Sequence, residues 1–384
     1  MSSPGFDCLI VGRGIVGLAH ALAAARAGLR TAVIDRETRA VGASIRNFGF
    51  VTVTGQQAGL TWRRARRTRD IWADLAPQAG IPVEQRGLLM IARRREAIAV
   101  IEEFAHGPMG AGCRILRGKA LAALAPPLRR RLPGALYSPH ELRVESRDAI
   151  PRLAAWLAAA HEVVFLPPAA VHAVASGRVE TSAGPVTAHR VIICPGPDLV
   201  TLFPEEHTRR GITLCKLHML RVAAPGWRLP AAVMSDLGLL RYQGYADCPS
   251  LSALRGKVAA EQAAWLADGV HLIAVQGADG SLVVGDSHHY GPSPDPFQPR
   301  EVDERILSEL AAVVDLPAPQ VVERWVGVYP SGSESAFTAA PLPHVRLVNV
   351  TSGTGASTAF AIAEETLADL LGDPPPPHVT ETPP

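Results

Sequence analysis

Three glycines, Gly12, Gly14 and Gly17, stand in the spacing G-x-G-x-x-G directly after the apolar run DCLIV (7–11), and Asp35 follows 18 residues beyond the last of them. Each glycine has its own task in binding a dinucleotide. The first permits a tight turn, the second lets a pyrophosphate approach the backbone, and the third lets a helix pack closely on its strand. The helix N-terminus then offers free N–H groups and a positive dipole end to the phosphates, and Asp35 accepts hydrogen bonds from an adenosine ribose. The bland reading of such glycines is a structural turn. Here strand, helix and acid all fall in place, so a dinucleotide is expected, with NAD and FAD both open at this point.

Other residue types could handle an amine or an anion. His288 and His289 in GDSHHY could orient a substrate or move a proton, since imidazole titrates near neutrality; a polar loop is the competing reading. His288 is the better candidate because it alternates with Asp286. Lys216, Arg221 and Arg241 could bind a phosphonate or a carboxylate, arginine through a bidentate fork. Arg241 stands beside Tyr242 and Tyr245 in RYQGY, a mixture of cation and aromatics that raises it above the other two. The arginines at 63, 64, 66, 67 and 69 wrap more than one helical face and read as solvated surface. Cys8, Cys113, Cys194, Cys215 and Cys248 lie far apart with no CxxC pair, so neither a zinc site nor a disulfide framework is expected.

Strand, glycine turn, a helix with Ile15, Leu18, Leu22 and Ala25 at helical spacing, a stop at Gly28 and the strand TAVID (31–35) make one βαβ unit. Further helices are predicted over 61–75, 149–160 and 358–371. Short strands are predicted within 169–196 and near 214–222, 239–245, 271–275, 282–286 and 345–350. The segment GASIRNFGF (42–50) fits no regular element, and the proline-rich end 373–384 reads as a flexible tail. A length of 384 residues with 47% apolar content supports two domains and a packed core. The formal net charge of +2 argues against a nucleic-acid partner. No run is long and apolar enough to span a membrane, and a soluble, cytoplasmic protein is expected.

GASIRNFGF after the ribose acid, the strand VIICPG ending at Gly196 and the turn SGTGAS before the last helix together resemble the D-amino-acid oxidase, glycine oxidase and sarcosine oxidase family of FAD-dependent enzymes. The resemblance spans residues 6–372. The phrases GASIRNFG, KLHMLR, GDSHHY, ERWVGVYPSG and TSGTGAS are similar to a bacterial branch associated with aminophosphonate breakdown. It implies an α/β fold in which a Rossmann-type FAD-binding domain (1–80, 145–212 and 326–372) is interleaved with a smaller, mainly antiparallel substrate domain (81–144 and 213–325). It implies FAD contacts at Gly12, Gly14, Ile15, Val16, Gly17, Asp35 and Arg36, and along the 42–50 segment at Ala43, Ser44, Arg46, Asn47, Gly49 and Phe50. Val171, Cys194 and Gly196 would close the adenine side. Gly327, Ser352, Gly353, Thr354 and Gly355 would meet the flavin ring.

The same resemblance implies oxidation of a small primary or secondary amine bearing an anionic group, an aminophosphonate or its N-alkyl derivative as first choice, to an imine that hydrolyses, with oxygen reoxidising the flavin. His288, Tyr242 and Tyr329 become the catalytic candidates, and Arg241, Tyr245 and Lys216 the substrate-binding ones. Two departures bear on this. Amino-acid oxidases place a carboxylate-gripping arginine in W-x-G-x-R-P, where W-V-G-V-Y-P has Tyr329; sarcosine oxidases carry an oxygen-activating lysine where Val283 stands. Asn47 occupies a place where some relatives attach flavin through histidine, and no cysteine sits at the family's attachment point, so the FAD is expected to be non-covalent. Two rivals remain. One is oxidation of a 2-hydroxy acid or polyol phosphate with another electron acceptor, and the other is a non-catalytic flavin-binding redox sensor or subunit.

Overall fold

The computed structural model describes residues 5–380. Its first layer is a parallel sheet in the order Val164–Phe165, Thr31–Ile34, Phe6–Val11, Val186–Ile193, Val345–Ser352. Leu9 stands in register between Ala32 and Val191, so the first strand is central and buried on both faces. Successive side chains of a strand point to opposite faces. Cys8 and Ile10 accordingly pack with the helices Ile15–Arg26, Leu60–Gln78, Ser146–His161 and Gly355–Leu371, while Leu9 packs with Val171, Val179, Val191 and Leu347. This explains why DCLIV reads as a continuous apolar run rather than an alternating one.

Beyond it lie Thr213–Val222, Leu282–Gly285, Ile273–Gln276, Ala232–Ser235, Val83–Ala92 and Gly134–Val144, hydrogen-bonded in that order. All these pairings are antiparallel except that of Ala232–Ser235 with Val83–Ala92. The long strand Val321–Ala339 joins the two layers, pairing with Thr213–Val222 along one part and with Val345–Ser352 along another. Anything bound between the layers therefore sits on one continuous, twisted sheet. Among the described residues no helix is long and apolar enough to cross a membrane.

Three sequence expectations change. The segment 239–245, expected as a strand, is the helix Leu237–Arg241 followed by the 3-10 turn Gln243–Tyr245. Leu237 and Leu239 are buried but belong to a helical turn, a case where a short apolar run cannot distinguish the two periods. The last helix begins at Gly355 rather than at residue 358, which draws the glycine turn into its first turn. Part of the expected flexible tail folds back: Pro377–Thr380 is a short helix, with the His378 imidazole 3.0 Å from Glu365 and the His378 carbonyl accepting from Arg63. Residues 381–384 lie outside the described residues.

Glycines fix the close approaches. Gly49 has φ +66°, and a Cβ there would sit 1.8 Å from the Val144 carbonyl oxygen. Gly28 has φ +75° with nothing within 4 Å. Gly28→Ala should therefore cost only the left-handed strain, about 1 kcal/mol, whereas Gly49→Ala adds a backbone clash and should cost about 3 kcal/mol or more. Urea midpoints of the two variants check the difference, and equal midpoints contradict the packing described.

Candidate active site

The glycine turn forms because other backbone atoms occupy the space a side chain would need. Gly12 has φ +112°, and a Cβ would meet the Cys194 carbonyl oxygen at 2.4 Å; at Gly17 it would meet the Gly12 carbonyl oxygen at 1.9 Å. Gly14 faces Ser44, whose Oγ accepts the Ile15 N–H at 2.9 Å and so partners one of the helix's free donors. The Asp35 carboxylate accepts the backbone N–H of Arg13 at 2.7 Å and of Glu37 at 2.9 Å, which holds it at the end of its strand.

From this turn a cavity of about 570 Å³ runs across to the antiparallel layer. That is within the ordinary range for small-molecule sites. Its walls include Gly14, Ile15, Val16, Gly17, Ala43, Ser44, Arg46, Asn47, Phe50, Cys194, Gly196, Gly327 and the turn Ser352, Gly353, Thr354 and Gly355. Segments from the start, middle and end of the chain thus meet on one space. Gly12, Asp35, Arg36, Gly49 and Val171 do not line it. Gly12 and Gly49 shape its walls from behind, Arg36 is exposed and lies 3.5 Å from Asp198, and Val171 is a core residue.

Within the 42–50 segment the side chains divide their work. Asn47 donates to the Ala43 carbonyl at 2.7 Å and accepts from the Gly49 N–H at 2.6 Å and the Ser146 hydroxyl at 2.9 Å, so its amide braces the loop. Arg46 is exposed and donates to the Val326 carbonyl at 3.4 Å. A network that the sequence did not reveal stands opposite. The Ser357 Oγ accepts the Thr52 N–H at 2.8 Å, and Gln56 donates to the Thr52 hydroxyl at 2.7 Å, tying the last helix to the cavity wall. No motif marks VTVTGQQ, and only the fold brings it there.

At the far end Arg241, Tyr242, His271, Asp286, His288, Tyr290 and Tyr329 line the cavity. The Arg241 guanidinium donates to the Tyr329 hydroxyl at 3.2 Å, and among the described residues no carboxylate lies within ion-pairing distance of it. Burial works against its charge, but the Tyr329 and Tyr290 hydroxyls and Asp286 hold its pKa up. Tyr329 is placed by pairing with Cys215 and by Gly353, at φ +73°, where a Cβ would come within 3.0 Å of its ring. Burial raises the pKa of both Tyr329 and Tyr242.

The other three groups form a tight cluster. Burial pushes the Asp286 carboxyl up to about 8, partly offset by Arg241, and pushes His271 down to about 3. It also depresses His288, whose Nδ1 donates to the Gly269 carbonyl at 2.9 Å. Tyr242 packs edge-on against His271, ring centroids 5.8 Å apart. His271 and Tyr290 are site residues that sequence reasoning missed, because nothing local distinguishes a cavity-facing histidine from a core one.

Two of the substrate-binding candidates lie outside the cavity. Lys216 is buried and outside the cavity, its ammonium donating to the Phe297 carbonyl at 2.8 Å. Tyr245 is fully buried in the core, its ring centroid 4.7 Å from that of Phe104. Both placements have one cause: the face on which a strand or turn residue points is set by partners distant in sequence.

The cradle fits a dinucleotide, since the glycine turn has no room for side chains and the cavity continues from it. Gly14→Val would drive a side chain into Ser44 and the phosphate path. The purified variant should hold less than about a tenth of the wild-type FAD, read as flavin released on denaturation; equal content would refute this use of the turn.

No curated protein sequence matches the chain. Solved structures do match in fold. Glycine oxidase from Geobacillus kaustophilus aligns at TM-score 0.76 with 19% identity, over 97% of this chain and 96% of that one. L-proline dehydrogenase from P. horikoshii aligns at 0.79 with 16% identity, over 97% and 96%. L-alpha-glycerophosphate oxidase from Mycoplasma pneumoniae, solved with FAD bound, aligns at 0.72 with 16% identity, over 98% and 97%. The family described as "DAO: FAD dependent oxidoreductase" matches residues 7–370. With the match running through the glycine turn, the cavity and the last helix, the chain belongs to the DAO family of FAD-dependent oxidoreductases, and FAD is its cofactor.

Proposed function

We propose that the protein oxidises a small primary or secondary amine carrying an anionic group, with an aminophosphonate or its N-alkyl derivative as first choice. The observation that carries this reading is Arg241. A half-buried guanidinium with no carboxylate partner is costly to leave unpaired, and an anionic head group would supply the missing partner. Bound FAD supplies a two-electron acceptor for the C–H bond next to nitrogen. The amine then loses two electrons and two protons to become an imine, and water converts the imine to a carbonyl compound and either ammonia, from a primary amine, or an amine, from a secondary one.

The chain's own residues act by position. Arg241, steadied by the Tyr329 hydroxyl, would hold the anion and so fix which C–H faces the flavin region. Tyr242, Tyr290 and His288 wall the space, His288 buried and Tyr290 exposed. Burial at this end of the cavity favours the substrate as a neutral amine with its nitrogen lone pair free. Tyr329 stands where amino-acid oxidases carry their arginine, and Arg241 reaches the same hydroxyl from a different segment, which supports an anion grip of altered geometry. Asn47 is committed to the loop and the Cys194 thiol is buried with its pKa raised, both of which support FAD held without a covalent bond.

Glycine oxidase and L-proline dehydrogenase are named for amine substrates; the glycerophosphate oxidase is named for an alcohol phosphate. A second reading, oxidation of a 2-hydroxy acid or polyol phosphate, uses the same anion grip. Val283 in place of the oxygen-activating lysine favours an electron acceptor other than oxygen in that case, whereas the first reading takes oxygen and releases peroxide.

Anaerobic mixing of the FAD-loaded protein with aminophosphonates, N-methyl amines, amino acids and hydroxy acids separates these readings. Anionic amines should bleach the flavin band, and Arg241→Met should raise the half-saturating concentration about 100-fold, or ~2.7 kcal/mol. Bleaching by hydroxy acids alone would establish the second reading. A flavin that no small molecule reduces would point to a redox sensor or subunit.

A further inference from the structure

We infer that His271, Asp286 and His288 form a binding site for one divalent transition-metal cation at the substrate end of the cavity. One ligand atom from each of the three lies within 4.8 Å of the others, and all three residues are buried. Metal bonds of roughly 2.0–2.2 Å place two ligand atoms of one ion at most about 4.4 Å apart. His271 Nδ1 is 3.1 Å from Asp286 Oδ1, and His288 Nε2 is 3.9 Å from Asp286 Oδ2. Small side-chain rotations suffice to bring the set onto one ion.

The hydrogen bonding points the same way. Despite the 3.1 Å approach, His271 Nδ1 and Asp286 Oδ1 make no hydrogen bond to each other or to anything else, and His271 Nε2 is equally unpartnered. These residues are only 3% and 4% exposed, so their polar atoms lack the partners that buried groups ordinarily have. His288 shows the complement, because its Nδ1 donates to the Gly269 carbonyl at 2.9 Å, leaving Nε2 as the free ligand atom. A backbone carbonyl on the second ring nitrogen is the usual support of a metal-binding histidine.

The backbone holds the three residues in place. His271 and Asp286 exchange both main-chain hydrogen bonds, at 3.2 and 2.9 Å, and the His288 N–H donates to the Asp268 carbonyl at 2.8 Å. Gly269 permits this, since a Cβ there would meet the His288 Cβ at 2.8 Å. Two imidazoles and one carboxylate suit zinc, iron(II) or cobalt(II) better than magnesium or calcium, whose sites are built from oxygens. Three protein ligands leave a coordination position open to the cavity. Resting on the anionic-amine reading, that position and Arg241 would share the oxygens of one phosphonate or carboxylate.

The test uses the FAD-containing protein, stripped with a chelator and dialysed against zinc buffered in the micromolar range, with metal and flavin measured per chain. Wild type should retain one zinc. Asp286→Asn and His271→Gln, at unchanged FAD content, should bind it at least about tenfold more weakly, while His289→Gln, outside the cluster, should match wild type. A wild type without stoichiometric zinc overturns the site whether or not a variant folds, and so do FAD-loaded variants that hold zinc as tightly as wild type. Zinc content is independent of flavin reduction, so a metal-free protein that still oxidises anionic amines sinks this inference alone.

Discussion

The unpaired guanidinium of Arg241 is the constraint around which the site is arranged. A charge removed from water without a partner is expensive, and proteins usually answer with a carboxylate. Here the nearest help is a tyrosine hydroxyl at 3.2 Å, itself raised in pKa by burial and so a neutral dipole rather than an anion. The fold holds the cation in the wall of the cavity instead of neutralising it, which leaves its electrostatic attraction for whatever enters. Tyr329 keeps its place only because the strand Val321–Ala339 is in register with Thr213–Val222 and because Gly353 presents no side chain to its ring.

That register also explains why parts of the chain so distant in sequence share one site. The long strand pairs with the antiparallel layer along one part and with the parallel layer's Val345–Ser352 along another, and it carries Gly327 past the Arg46 carbonyl. The helix Gly355–Leu371 starts from the end of that second strand and is tied back to Thr52 through Ser357. On the dinucleotide side the same device recurs: Gly12 lies against Cys194, and Gly17 against Gly12. Backbone in close contact positions the walls, and side chains are left free to face inward.

Much of this was legible in the sequence because it is local. The spacing of Gly12, Gly14, Gly17 and Asp35 is fixed by one turn and one helix, and the alternation or continuity of apolar residues marked most strands within a few residues. What was not legible depends on tertiary partners. Lys216 and Arg241 looked alike as cations in the second half of the chain, yet one reaches the Phe297 carbonyl and the other the cavity. Tyr242 and Tyr245 are three residues apart, and only the turn of Leu237–Arg241 into a 3-10 segment sends the first to the cavity and the second to the core. His271 was read as one more residue of a strand. Its meeting with Asp286 and His288 follows from a pairing across fifteen residues that no periodicity encodes.

Anion capture by Arg241 is measured alone with a substrate stripped of its reacting group. A small alkylphosphonate with no amine cannot be oxidised, and its binding can be followed by the shift it causes in the spectrum of bound FAD. Anion capture by Arg241 gives saturable binding to wild type that weakens by at least about tenfold in Arg241→Met, with Arg241→Lys between the two. Equal affinity in wild type and Arg241→Met would contradict it.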